Sequence, residues 1–279
     1  MKKSAIVVDS TTPIPSWLDE SVPVFSVPVR VYIDGQEYKD CLEIQDKIIQ
    51  AINEDRNIET SLPSPNDVEE LLEKLSNEYD KVYVLSVSSH LSGTYNLFST
   101  IASKYENIVV FDSKTISIQN TYILERMVEN IKAGKVLEEN DIISYRDDSL
   151  FLITVFSLSR LEKSGRIGKL ISIIGKILHV KPILSIARTG EVELVGKALG
   201  KTKISEIIFE KIEEFLKGEV NDVILYAAVG TDAYKEFIFE IGKFLDIKPM
   251  FFPIGSAVLA HVGFDGFGFV VGKRKLNRQ

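Results

Sequence analysis

The residues best equipped for chemistry are small hydroxyl side chains that follow short apolar runs. Ala5-Ile6-Val7-Val8 ends in Asp9-Ser10-Thr11-Thr12, and Ile108-Val109-Val110-Phe111 ends in Asp112-Ser113. Val82-Tyr83-Val84-Leu85 ends in Ser86 and leads through Ser88-Ser89-His90-Leu91 to Ser92-Gly93-Thr94. Thr60-Ser61-Leu62-Pro63-Ser64-Pro65 adds further hydroxyls on a segment stiffened by its prolines. Hydroxyls and a glycine at the start of a helix suit an anion, because backbone N–H groups and the helix dipole point the same way. One serine before a helix is usually only a cap. Several such loops on one sheet edge exceed what capping needs. They predict recognition of a carboxylate or phosphate by hydrogen bonds rather than by charge.

His261 is the other notable residue. It follows the apolar run 254–260 and opens His261-Val262-Gly263-Phe264-Asp265-Gly266-Phe267-Gly268. Read blandly, it is a core or loop histidine. Read functionally, the glycines let backbone approach a ligand while the imidazole supplies a donor. Three enzyme patterns come close and fail. GKALGKT (196–202) approaches a phosphate-binding loop, but Val195 stands where the motif needs its first glycine. Asp9-Ser10-Thr11-Thr12 resembles the start of an aspartyl phosphotransferase, with Thr11 in place of the second carboxylate. Ser92 and His261 would suit a hydrolase, yet no G-x-S-x-G elbow surrounds Ser92.

The elements that must position these residues follow from the same runs. Continuous β-branched stretches indicate strands covered on both faces, the mark of a parallel sheet with crossover helices. Residues 67–79 place Val68, Leu71, Leu72 and Leu75 at helical spacing after Pro65-Asn66-Asp67. Pro13 and Pro15 are expected to open a further helical segment. Beyond Arg146-Asp147-Asp148 the pattern changes. Residues 151–156 read as a strand, and 158–177 as helical segments interrupted at Ser164-Gly165. Residues 182–199 read as a hairpin turning at Thr189-Gly190, and 203–218 as an amphipathic helix. A strand (223–229), a helix (232–245) and a closing strand near 267–272 complete the chain. The expected fold is α/β in two domains. Residues 1–147 form an open parallel α/β sheet and 148–279 a mixed-sheet α/β domain.

Composition narrows the classes. The chain has 279 residues, 45% hydrophobic and 26% charged, as in an ordinary globular protein. A net charge of −7 argues against a nucleic-acid partner, which calls for a basic stripe. The single Cys41 excludes an internal disulfide framework and fits a cytoplasmic location. His90, His179 and His261 are scattered and offer no metal cluster. No targeting segment is expected from MKKSAIVVDS, whose apolar run is short. The charge-poor stretch 254–272 contains His261 and Asp265 and is broken by glycines, so it reads as a buried strand and loop rather than an integral membrane segment.

Taken together, IVVDST (6–11), TSLPSP (60–65), VSSHLSGTYN (87–96), VFDSKTIS (110–117), LSRLEKSGRIGK (158–169), KPIL (181–184) and HVGFDGFG (261–268) resemble the DegV family of bacterial fatty-acid-binding proteins, the lipid-carrier subunits of fatty acid kinase. The resemblance spans nearly the whole chain and implies a two-domain fold with a long-chain fatty acid between the domains, its tail in an apolar tunnel. By that likeness the carboxylate is held by Ser92, Thr60 and His261, with Gly93, Gly263 and Ser61 alongside. It also implies no catalytic residues, no metal and no cofactor beyond the bound fatty acid. A separate ATP-dependent kinase subunit would form the acyl phosphate. An enzyme using the same cleft, a Ser–His acyl hydrolase or a phosphotransferase, is the alternative.

The chain departs from the family pattern in places. Val262, Phe264 and Asp265 replace the threonine, proline and second glycine of the terminal block. Ser164 replaces the first glycine of a Gly-Gly-Arg run, and Gln119 stands where a glycine is expected. An arginine common after the hairpin is missing near Ala198-Leu199, although Lys197, Lys201 and Lys203 are close. These departures bear on lipid preference and on the surface that meets a kinase.

Overall fold

The computed structural model describes residues 3–156, 159–165, 181–217 and 222–274. The expected helical segments over 166–177, and His179, lie outside the described residues. The chain divides into two compact units. The first comprises Met1–Arg146, Arg188–Glu191 and Gly255–Ala260; the second comprises Asp147–Ala187, Val192–Ile254 and His261–Gln279. The two short returning segments of the first unit are not included in a single sequence boundary.

In the first unit, strands β1 (Ser4–Asp9), β2 (Val24–Val27), β6 (Lys81–Ser86) and β7 (Ile108–Asp112) form a parallel sheet in the order β2-β1-β6-β7. Val7 pairs in register with Val84, and Val84 with Val110, which aligns the carboxyl ends of the strands. Helices α2 (Pro65–Glu78) and α3 (Thr94–Ala102) bury Val68, Leu72, Leu75, Phe98 and Ile101 against Val7, Val82 and Val84. Burying one such side chain contributes about 1.5–3 kcal/mol, so this layer fixes where the loops above it begin. Ser64 caps α2 by accepting the Asp67 N–H at 3.3 Å, with Pro65 in the first turn. The expected helix opening at Pro13 and Pro15 is absent: residues 11–21 form turns. Pro15 disfavours helical backbone at Ile14, the residue before it, so a helix opened at Pro13 does not propagate.

A second, antiparallel sheet of order β4-β3-β5 joins β3 (Arg30–Ile33), β4 (Gln36–Lys39) and β5 (Ile58–Ser61). Its hairpin turns at Asp34 and Gly35, whose φ values of 48° and 83° suit a two-residue turn with both residues left-handed. Helices α1 (Gln45–Asn53), α4 (Ile118–Lys132) and α5 (Glu139–Asp147) also belong largely to this part of the chain.

The second unit is built on a six-stranded mixed sheet of order β10-β9-β8-β13-β11-β12. Its strands are β8 (Ser149–Val155), β9 (Lys181–Ile186), β10 (Val192–Ala198), β11 (Val223–Val229), β12 (Met250–Phe252) and β13 (Gly266–Lys273). Among the described residues of this unit, only β11 and β12 pair in parallel. Helices α7 (Gly200–Leu216) and α8 (Lys235–Leu245) lay Ile204, Ile208, Ile212, Ile238 and Ile241 on Leu225, Ala227, Phe267 and Phe269. A smaller apolar cluster gathers Val155, Leu161 and Leu184 with the half-buried Ile153, Val192, Leu194 and Val262; Leu161 comes from α6 (Ser159–Lys163). Strand β10 runs to Ala198 and α7 starts at Gly200, so the phosphate-loop-like GKALGKT has only Leu199 between strand and helix and forms no cradle.

The stretch around His261 differs from the expected strand and loop. Ser256–Val262 is a short helix, α9, with His261 in its last turn. Seven residues are too few for a helical period to stand out from an apolar run. Among the described residues, no helix is long and apolar enough to cross a membrane.

Candidate functional site

The carboxyl ends of β1, β6 and β7 bring their loops to one edge of the parallel sheet, the position where open α/β folds bind ligands. Asp9 ties two of these ends together. Its Oδ1 accepts the Thr11 N–H at 3.1 Å and the Thr11 hydroxyl, and its Oδ2 accepts the Val87 N–H at 2.7 Å. The side chain is wholly buried, and burial pushes its carboxyl above the usual range. Asp9 is thus an acceptor that shapes the loop.

Past Val87 the chain turns tightly. Ser88 donates its hydroxyl to the Gly190 carbonyl at 2.8 Å and accepts the His90 N–H at 3.2 Å. The Ser92 N–H then reaches the Ser88 carbonyl at 3.1 Å. Gly190, at φ +97°, sits so close that an added Cβ would lie 2.3 Å from the Ser88 Oγ. Asp112 accepts the N–H groups of Ser89 (3.1 Å) and Lys114 (3.0 Å) and pairs with the Lys114 ammonium at 2.7 Å. Burial alone would raise the Asp112 carboxyl, but the bonds from Lys114 and Ser89 hold it below its ordinary value.

Ser92 and Thr94 share a hydrogen bond of 2.8 Å, and the Ser92 Oγ also accepts the Thr94 N–H at 3.3 Å. Thr94 is completely buried and Ser92 half-buried, and either hydroxyl can be the donor of the bond they share.

Thr60 lies on β5, opposite Val31 of β3, and Ser61 lies opposite Arg30. Arg30 escaped the sequence reading. Its Nε donates to the Leu62 carbonyl at 2.8 Å and its Nη2 to the Ser61 Oγ at 3.2 Å, so a cation shapes the TSLP loop. No motif marks it; strand pairing alone puts it there. Gly93 meets this loop directly, since a Cβ there would lie 3.3 Å from Leu62 Cδ2. The segments of Thr60-Ser61 and Ser92-Gly93, some thirty residues apart in sequence, are therefore neighbours.

His261 and Gly263 belong to the second unit. Gly263 ends α9 at φ +73°, a conformation that favours glycine. The family departures have local partners. Val262 joins the smaller apolar cluster, and Asp265 accepts the Tyr234 hydroxyl. The Phe264 carbonyl lies where a Cβ on Gly230 would fall, 1.9 Å away. Gln119 is buried and accepts the Thr115 hydroxyl, while Ser164 donates to the Leu161 carbonyl at 3.1 Å. Among the described residues no cluster of His, Cys, Asp and Glu could hold a metal ion.

One further acid adjoins the sheet edge. Asp40 accepts the Ser10 hydroxyl at 2.7 Å through Oδ2 and the Ala257 N–H at 2.9 Å through Oδ1. Burial pushes its carboxyl up to about 6, with the neighbouring Asp9 adding to the rise and the Ser10 bond opposing it.

A family profile described as an uncharacterised protein of the DegV family matches residues 3–274. A DegV domain-containing protein of Clostridium acetobutylicum is 32% identical over 80% of this chain and 81% of its own length. Among solved structures, a DegV family protein of Thermus thermophilus described by its fatty acid binding superposes with a TM-score of 0.89 at 26% identity, covering 98% of this chain and 100% of that one. A DegV lipid binding protein of Thermotoga maritima gives 0.82 at 27% identity, over 98% and 100%. A stearic acid-binding protein of Eubacterium ventriosum gives 0.82 at 26%, over 98% of each chain.

Proposed function

Because this chain belongs to the DegV family, we propose that it binds a long-chain fatty acid as a non-catalytic cytoplasmic carrier and presents the carboxyl group to a separate ATP-dependent kinase subunit for acyl-phosphate formation. Thr60, Ser92 and His261 hold the carboxylate, Gly93 and Gly263 give room for close backbone approach, and Ser61 borders the donors. By the family likeness, the acyl tail runs between the two domains.

The observation that carries this reading is the meeting of the Thr60 and Ser92 segments at the Leu62–Gly93 contact. A carboxylate beside neutral donors must be compensated by hydrogen bonds, which is the service hydroxyls and an imidazole provide. An acidic protein cannot draw in an acidic lipid by its overall field, so local donors must do the recognition.

The test is direct. Mass spectrometry of lipid extracted from the purified protein is expected to find a fatty acid, and the stripped protein is expected to take up oleate. Ser92→Ala removes one hydrogen bond to a charged group, about 1.5–3 kcal/mol, and is expected to weaken oleate binding by about 10- to 100-fold. An empty protein that takes up no fatty acid, or Ser92→Ala binding like wild type, would sink the proposal. For the kinase step, acyl phosphate trapped as a hydroxamate is expected only when a kinase subunit and ATP are added. Turnover by the chain alone would favour an enzyme instead.

A further inference from the structure

Helix α9 has seven residues, too few to be stable on its own, so outside ties must set its direction. Two of those ties come from one place, the segment Asp40-Cys41 that follows β4. Asp40 Oδ1 accepts the Ala257 N–H at 2.9 Å, and the Cys41 carbonyl accepts the Ser256 hydroxyl at 2.6 Å. Asp40 is itself held. Its N–H donates to the Val29 carbonyl at 2.9 Å, its Oδ2 accepts the Ser10 hydroxyl, and the Ser10 Oγ accepts the Val29 N–H at 3.0 Å. Gly255 enters the helix against the same strand end, where its Cβ position lies 3.6 Å from the Ser10 carbonyl. Ser256 and Ala257 are both buried.

His261 follows Ser256 by five residues in the same helix, a rise of about 7.5 Å and roughly one and a half turns. A shift of the first turn is therefore passed to the imidazole with little loss. We propose that Asp40 is a positioning residue for the fatty-acid carboxylate: by accepting the Ala257 N–H it fixes the first turn of α9 and so sets where His261 stands. The inference rests on the fatty-acid reading above. Nothing in the motifs that carry the family resemblance includes Asp40. Its role comes from contacts more than two hundred residues apart in sequence.

The experiment uses the full chain, stripped of lipid and titrated with oleate, as wild type, Ser92→Ala, Asp40→Ala and Asp40→Asn. The Hε1 resonance of His261, assigned with His261→Gln, reports the imidazole's surroundings, and that of His90 serves as a control. Asp40→Ala is expected to weaken oleate binding about 5- to 10-fold, the loss of roughly one hydrogen bond's worth of positioning, and to move the His261 resonance but not that of His90. Asp40→Asn keeps an oxygen for the Ala257 N–H and is expected to return affinity to within about threefold of wild type, a rescue that a merely charged or bulky role would not give. Should Asp40→Ala fail to fold, Ser256→Ala cuts the adjoining tie and carries the same expectations. Wild-type affinity with an unmoved His261 resonance in Asp40→Ala overturns the inference, and so does Asp40→Asn binding as weakly as Asp40→Ala. If Ser92→Ala is weakened while Asp40→Ala is not, this inference alone fails. If wild type takes up no oleate, the fatty-acid reading fails first.

Discussion

The buried Asp40 makes stability depend on pH in an unusual direction. Its folded-state carboxyl titrates at about 6 rather than the ordinary 3.8, chiefly because burial disfavours the charge. Between those two values the native state keeps a proton that the unfolded chain has released, so stability falls as pH rises. The contribution is fully present below 3.8 and lost by the time pH has passed through about 6. Each unit of difference corresponds to 1.36 kcal/mol, so the full loss is about 3 kcal/mol. Asp40→Asn cannot ionise and escapes it. The stability of the variant relative to wild type is therefore expected to rise by about 2–2.5 kcal/mol between pH 4 and pH 7. Urea unfolding followed by tryptophan fluorescence is a suitable assay, because Trp17 is the sole tryptophan and lies in the same unit. Parallel pH profiles for the two proteins, or a difference that shrinks as pH rises, would refute the reasoning.

Other substitutions probe the loops around the site. Gly190→Ala places a Cβ 2.3 Å from Ser88 Oγ at φ +97°. It is expected to cost about 2–4 kcal/mol through strain and a lost hydrogen bond, read as a lowered Tm. Gly134→Ala, at φ +82° with open space around it, is expected to cost only about 1 kcal/mol, and equal losses in the two variants would contradict the proposed clash. Arg30→Ala frees the Leu62 carbonyl and the Ser61 hydroxyl. Since Arg30 is partly exposed, about 1–2 kcal/mol of stability is expected to go, together with several-fold of oleate affinity. Unchanged oleate binding in Arg30→Ala would remove the TSLP loop's shape from the argument. Ser92→Ala, with its larger expected loss of affinity, sets the scale for these comparisons.

The parallel sheet was legible because strands buried on both faces leave continuous apolar runs, as at residues 5–8, 82–85 and 108–111. Helix α2 was legible from the spacing of Val68, Leu72 and Leu75. The hairpin around Gly190 showed its turn residues between alternating strands. Other features gave weaker signals. The β4-β3-β5 sheet has short, half-exposed strands, and its one strong mark is Asp34-Gly35, a pair suited to a two-residue hairpin turn. Helix α9 is apolar on nearly every side, so no period separates it from a strand. Arg30 and Asp40 act through pairings distant in sequence, and no local pattern encodes them. The hydroxyl loops were visible as donors, but only the Leu62–Gly93 approach shows which of them meet.

The broken sequence of the first unit has a consequence for how the chain is made. Its sheet and hydroxyl loops have all left the ribosome once Arg146 is out, yet the segment that binds Asp40, Gly255–Ala260, is still on the order of 100 residues away. At about 5–20 residues per second the unit waits roughly 5 to 20 s with Asp40 facing water, and less than half as long for Ser88, whose partner Gly190 comes sooner. A nascent chain stalled at residue 147 would thus display a sheet without its closing ties. Cutting the gene at that point to obtain a free-standing N-terminal fragment would remove Gly190 from Ser88 and Ala257 from Asp40. The finished protein owes part of its first half to its last residues.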